Sequence, residues 1–218
     1  MVKSPIDLTF DCPAAGVLAS DAAFWQLYDS SFPSTEREPS DVILSTVQTG
    51  AGFVVRARVA GITIGLACAH MLRRPPALFL VYLAVAPEWR SHGVGSSLFE
   101  QTWTTGAARY VEAGLTPWGC IFEVDTPEAA SNQMEQRRRI AFFERLGTCL
   151  LPQRYLQPPV DRIAPVAMHL MFRPAPGISL PDSGAVSQMI RAIYFEKYHA
   201  ANGIPREALD DLLRQIKQ

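Results

Sequence analysis

Between Ala77 and Val111 the apolar pattern changes period once, and the change is abrupt. Ala77–Ala86 (ALFLVYLAVA) is a short, almost unbroken apolar run, which predicts a buried strand. Leu98, Phe99, Thr102, Trp103, Gly106, Ala107, Tyr110 and Val111 then recur at spacings of three and four, which predicts a helix with one buried stripe. The seam between them reads RSHGVGSS, Arg90–Ser97. A strand that turns tightly into a helix leaves backbone N–H groups unpartnered, at the positive end of the helix dipole. Gly93 and Gly95 would let an anion approach that main chain closely, with a charge from Arg90 and hydroxyls from Ser96 and Ser97. The competing reading is a plain strand-to-helix turn that uses glycine only for its backbone angles. A dinucleotide fingerprint fails at Leu98, where a third glycine is required, and a triphosphate loop fails for want of a lysine.

Around this seam the chain alternates short elements. Asp21 can cap a helix through Phe24, Leu27, Tyr28 and Phe32, stopped at Phe32-Pro33; Ser40 or Asp41 can cap a second, ended by Gly50. Phe53, Val55, Ala57 and Val59 alternate with Arg56 and Arg58, predicting a half-solvated strand, and Ile62–Leu72 a more buried one. With Ala77–Ala86 these make an antiparallel meander. Trp118–Val124 predicts another strand, followed by a polar loop. Gln133–Leu146 predicts a helix ended by Gly147, and Thr148–Leu156 and Val166–Phe172 the last strands. The sum is an α/β (α+β) domain over residues 1–173. Residues 174–218 add helices through Val186, Met189, Ile190, Ile193 and Tyr194, and through Leu209, Leu212, Leu213 and Ile216. That tail is too apolar to stand in water, so it packs on the main domain or on a second copy, as in a homodimer.

Composition narrows the function. At 218 residues, 48 % apolar and 19 % charged, the chain has the balance of a soluble globular protein. A net charge of −1 gives no reason to expect nucleic acid or an anionic membrane as partner. Met1–Asp11 lacks signal-peptide character, and Cys12, Cys68, Cys120 and Cys149 are too scattered for zinc or a redox pair. The expectation is a cytoplasmic protein without a metal.

The seam resembles the signature of the GNAT superfamily of acyl-CoA-dependent N-acetyltransferases: Val85, Pro87, Arg90, Gly93 and Gly95 match Val-x-Pro-x-x-Arg-x-x-Gly-x-Gly. The order of elements over residues 5–173 is also similar, and Phe142–Gly147 (FFERLG) resembles a second family motif. The resemblance implies a mixed, mostly antiparallel sheet with helices on both faces. It also implies acetyl-CoA as co-substrate, with its pyrophosphate on the N–H groups of Ser91, His92, Gly93, Val94, Gly95 and Ser96 and its pantetheine arm along Leu83 and Val85. The implied reaction is direct attack of an amine on the thioester in a ternary complex. An alkylamine is mostly protonated near neutral pH, so a base helps; the leaving thiol, with pKa near 8.5, needs an acid less.

Two departures from that family matter. The motif tyrosine that serves many members as acid is Phe143 here, able only to pack against the pantetheine, and Val81 stands where an acidic residue is common. A base must come from elsewhere: Glu123, a carboxylate among apolar neighbours in CIFEVDT, is the first candidate, with Tyr82 and Tyr155 behind it and Asp125 a lesser one. The missing tyrosine leaves room for a non-catalytic acyl-CoA-binding protein; a transferase with a longer acyl donor is a second alternative. His70 reads as structural, and Arg137–Arg139 as a solvated helix face.

Overall fold

A computed structural model describes residues 7–126, 133–160 and 164–216. The chain runs β1 (Leu8–Asp11), α1 (Ala15–Ala19), α2 (Ala22–Ser31), α3 (Ser40–Gln48), β2 (Gly52–Val59), β3 (Ile62–Arg73), β4 (Pro76–Val85), α4 (Val94–Glu112) and β5 (Gly119–Asp125). It continues through α5 (Gln133–Glu144), β6 (Cys149–Leu150), β7 (Tyr155–Gln157), β8 (Val166–Pro174), α6 (Ser183–Ala192), a π-helical segment (Ile193–His199) and α7 (Arg206–Ile216). The strands form one mixed, mostly antiparallel sheet in the order β1-β2-β3-β4-β5-β8-β6, with β7 also paired to β8. The β4–β5 pair is parallel.

Alternation along the strands divides the core. Phe53, Val55, Leu78, Leu80, Cys120 and Phe122 face α4 and α5. The other face is covered in two parts. Val54, Leu66, Cys68 and Tyr82 pack under the early helices with Leu18, Phe24 and Ile43. Phe79, Ile121, Leu170 and Phe172 pack under the tail, against Val186, Met189, Ile193, Leu209 and Leu212. The tail's apolar stripes are thus covered within the chain itself, each buried aliphatic side chain contributing about 1.5–3 kcal/mol of transfer free energy.

Some elements differ from the sequence reading. β1, only four residues, and α1 were not anticipated. The strand expected at Thr148–Leu156 is split into β6 and β7 around Pro152, which has no N–H to give a ladder. Val111 is 68 % exposed, because the buried stripe of α4 ends at Tyr110. The second early helix begins at Ser40 with Pro39 in the capping position and no side-chain cap. β2 is covered on both faces rather than half-solvated. Arg56 is buried and bonds Asp11 and Asp21, and Asp21 also caps α2 through the Phe24 N–H. The turn expected at Thr126-Pro127 and part of the proline-rich 157–165 connection lie outside the described residues.

Candidate active site

The seam after β4 is built by backbone angles. Pro87–Trp89 makes one 3-10 turn, then Ser91 (φ 62°) and Gly93 (φ 82°) adopt left-handed angles that bring the chain round into α4. Among the described residues nothing accepts a hydrogen bond from the N–H groups of Val94, Gly95 or Ser96. The first turn of α4 carries no acidic residue. Exposed Arg90 has no carboxylate partner among the described residues, and its Nε donates to the Val85 carbonyl at 3.0 Å, tying the strand end to the turn. His92 Nδ1 lies 2.7 Å from the Arg90 carbonyl. These groups suit a diphosphate: free donors, a dipole and a guanidinium with nitrogens to spare.

The two glycines do different work. A side chain on Gly93 would meet open space, so its left-handed φ explains the glycine. A Cβ on Gly95 would touch the Phe142 ring at 3.4 Å and Val85 Cγ2 at 3.7 Å. Both are ordinary contact distances, so an alanine at 95 would pack beside α5 and the end of β4. Phe142 is the ring beside the turn; Phe143 is buried, with Phe122 at 4.5 Å and Phe99 at 5.7 Å.

β4 and β5 then part. Their pairing covers only Leu78↔Cys120, Phe79↔Ile121 and Leu80↔Phe122. Where it ends, the register between β3 and β4 also shifts: Ala69 pairs with Leu80 and Cys68 with Tyr82, so Val81 is a bulge. Leu83, half-buried, and Val85 continue β4 beyond the last pair. The bulge turns Tyr82 to the face opposite Leu78 and Leu80, where it packs edge-on to Tyr28 at 5.0 Å. Its hydroxyl accepts from the Glu38 N–H at 2.9 Å and donates to the Glu36 carbonyl at 2.8 Å. Burial holds its pKa far above the ordinary range, so Tyr82 stays neutral and anchors the α2–α3 loop.

Glu123 is the first residue of β5 past the last β4 pair. Tyr198 donates to both its carboxylate oxygens at 2.9 Å, Gln157 Nε2 donates at 2.7 Å, and Tyr155 donates to Oε1. Burial pushes the Glu123 carboxyl up to about 7, against the pull of these three donors. Tyr155 and Tyr198 are 1 % and 2 % exposed, and burial holds both phenols neutral. The structure thus brings Glu123 and Tyr155 together, keeps Tyr82 on the α2–α3 loop, and pairs Asp125 with Arg139 at 3.0 Å.

The sequence reading missed Gln157, Tyr198, Glu38 and Lys197. Lys197 Nζ lies 2.6 Å from Glu38 Oε1, both side chains buried, and Asn202 donates to the same oxygen at 2.9 Å. His70 is buried beside them, on the wall of a cavity of about 10 Å³, and burial pushes its pKa down to about 3. The only sequence signal was the second aromatic pair in IYFEKYH, at Tyr194 and Tyr198, one turn apart. Among the described residues no group of three or more His, Cys, Asp or Glu could hold a metal, and no helix is long and apolar enough to cross a membrane.

Comparison with known proteins gives this arrangement its class, the N-acyltransferases. A family model described as Acetyltransferase (GNAT) family matches residues 22–147, over half the chain, and the chain belongs to that family. Similar solved structures include a GNAT-family protein from Bacteroides thetaiotaomicron (18 % identity, TM-score 0.67, covering 90 % of this chain and 99 % of that one). The ribosomal-protein-S18-alanine N-acetyltransferase of Escherichia coli is also similar (19 %, 0.54, covering 81 % and 97 %). So is Arabidopsis thaliana Naa50 in complex with the bisubstrate analogue CoA-Ac-MVNAL (14 %, 0.58, covering 78 % and 100 %). At these identities the likeness establishes the fold. A search of curated protein sequences found no match.

Proposed function

We propose that this enzyme moves an acetyl group from acetyl-CoA to a primary amine of a small molecule or peptide, by direct transfer in a ternary complex, with Glu123 as general base. The observation that carries the reading is the Glu123 carboxylate, held at the parting of β4 and β5 with its pKa raised to about 7. A base of that strength is largely ionised just above neutrality and accepts a proton there with little penalty. In the step, the amine nitrogen bonds to the thioester carbon, the C–S bond breaks, the thiolate departs, and the amine's proton passes to Glu123. The main chain from Ser91 to Ser96, with Arg90, receives the diphosphate. Leu83 and Val85 continue past the last β4–β5 pair and line the arm of the co-substrate, close to Phe142 and Phe143. Tyr155 orients the base, and Tyr82 fixes the loop at Glu36–Glu38. A thiol leaves readily enough that Phe143 in place of a proton donor does not block turnover. Direct transfer also fits a fold whose Arabidopsis representative binds a bisubstrate analogue.

The test combines calorimetric titration of acetyl-CoA with thiol release across a panel of polyamines, aminoglycosides and short peptides. Glu123→Gln is expected to bind acetyl-CoA as the parent does and to lose about 10²–10⁴ in kcat/KM with the best amine. A Glu123→Gln enzyme of undiminished rate would refute the base assignment. Acetyl-CoA binding without turnover on any amine would refute the acceptor class.

A further inference from the structure

The π-helical segment Ile193–His199 does more than continue α6. Three successive residues on it each grip a different distant part of the chain. Glu196 accepts from the backbone N–H of Arg73 at 2.6 Å and of Arg74 at 3.1 Å, holding the β3–β4 turn. Lys197 pairs with Glu38 on the α2–α3 loop. Tyr198 reaches β5 and places its hydroxyl 2.9 Å from each oxygen of Glu123. π-turns are rare and are frequently found at functional sites. Here the wide turn lets two consecutive side chains, Lys197 and Tyr198, both point inward, where they are 2 % exposed.

We propose that Tyr198 is a positioning residue of the transfer site: the π-turn of the C-terminal segment delivers its hydroxyl to Glu123, fixing the carboxylate's orientation and favouring its charged form. This rests on Glu123 being the base. The geometry is specific, since one phenol spans both oxygens while Tyr155 takes one and Gln157 the other. Gln157 also lies 3.3 Å from the Tyr198 hydroxyl, so the donors brace one another. The other groups facing the carboxylate are Tyr194, whose hydroxyl is committed to the Leu156 carbonyl, and Glu38, whose charge Lys197 balances. Among these, Tyr198 bonds both oxygens directly and comes from outside the sheet. The segment after β8 therefore belongs to the active site.

Titration of the carboxylate itself tests this. Protein labelled with carbon-13 at the glutamate side-chain carboxyl is followed by NMR across pH, and the resonance lost in Glu123→Gln identifies Glu123. The parent is expected to titrate near pH 7. Tyr198→Phe should raise the midpoint by about one pH unit, because losing a donor disfavours the charged form. Replacing Tyr198 with 3-fluorotyrosine, a more acidic phenol and stronger donor, should lower it. The acid limb of kcat/KM should move in the same directions. A midpoint unmoved by both replacements overturns the proposal. Should Tyr198→Phe fail to fold, the fluorinated protein keeps the hydroxyl contacts and decides alone. The titration uses no acceptor, so it is read independently of catalysis. If Glu123→Gln transfers acetyl at full rate while Tyr198 still moves the midpoint, the base assignment has failed and the positioning has not.

Discussion

Lys197→Met is the most demanding test of how the tail is joined to the rest of the chain. The lysine is 2 % exposed and its Nζ sits 2.6 Å from Glu38 Oε1; Glu38 is 5 % exposed. Methionine has nearly the same length and fills the same space, so the substitution removes a charge and leaves packing almost unchanged. What remains is a buried carboxylate without its cation. Breaking a buried pair from one side costs about 3–5 kcal/mol. Asn202 still donates to Glu38 at 2.9 Å, which places the expected loss at the lower end, about 3 kcal/mol. For a chain of this length that is a fall of about 10 °C in Tm. The pair Glu38→Gln with Lys197→Met should recover most of the loss, since neither charge is then stranded. Urea unfolding of the four proteins of this cycle gives the coupling directly. A single Lys197→Met loss below about 1 kcal/mol, or a double variant no more stable than Lys197→Met, would refute the argument that the charge of Glu38 is what Lys197 offsets.

Three further outcomes follow from the geometry. Glu123 holds a proton up to about pH 7 in the folded chain, against 4.5 as its ordinary value, so folding stability should fall by roughly 3 kcal/mol as pH rises across that window. In denaturation series this slope should be absent from Glu123→Gln, whose stability relative to the parent improves with pH. Gly93→Ala forces an alanine into φ 82° and should cost about 1–2 kcal/mol, whereas Gly95→Ala keeps ordinary angles, meets Phe142 at contact distance and should cost less; thermal melts compare the two. Tyr82→Phe strips the Glu38 N–H of its acceptor, for a loss of about 1–3 kcal/mol, and should quicken hydrogen exchange in the α2–α3 loop.

What was readable in the sequence was local. The strand, the two-glycine turn and the amphipathic helix lie within a few dozen residues, and each announces itself by period and by backbone requirement. Strand alternation on β5 puts Glu123 on the same face as Ile121, the face where Tyr155 and Tyr198 converge. On β4 strict alternation breaks because Val81 is skipped in the β3 register, an event set by the pairing of two strands and invisible in a continuous apolar run. Arg56 looked solvated because Asp11 and Asp21, its partners, lie far back in the chain and are brought to it only by the fold. Tyr198 was hidden for the same reason: its partner is 75 residues earlier, and nothing in an aromatic at helical spacing says which carboxylate it will meet.

The grip of the tail on Glu38 and Glu123 also sets when the surroundings of these two carboxylates are complete during synthesis. A nascent chain grows from its N-terminus, and long-range contacts wait for the later partner to emerge. The glycine turn and α4 can form early, but Glu123 gains Tyr198 only 75 residues later, and Glu38 gains Asn202 after 164. A ribosome-bound chain halted after β8 would carry the signature turn with Glu123 held by Tyr155 and Gln157 alone. The full set of donors around that carboxylate is assembled only once the tail has left the ribosome and docked.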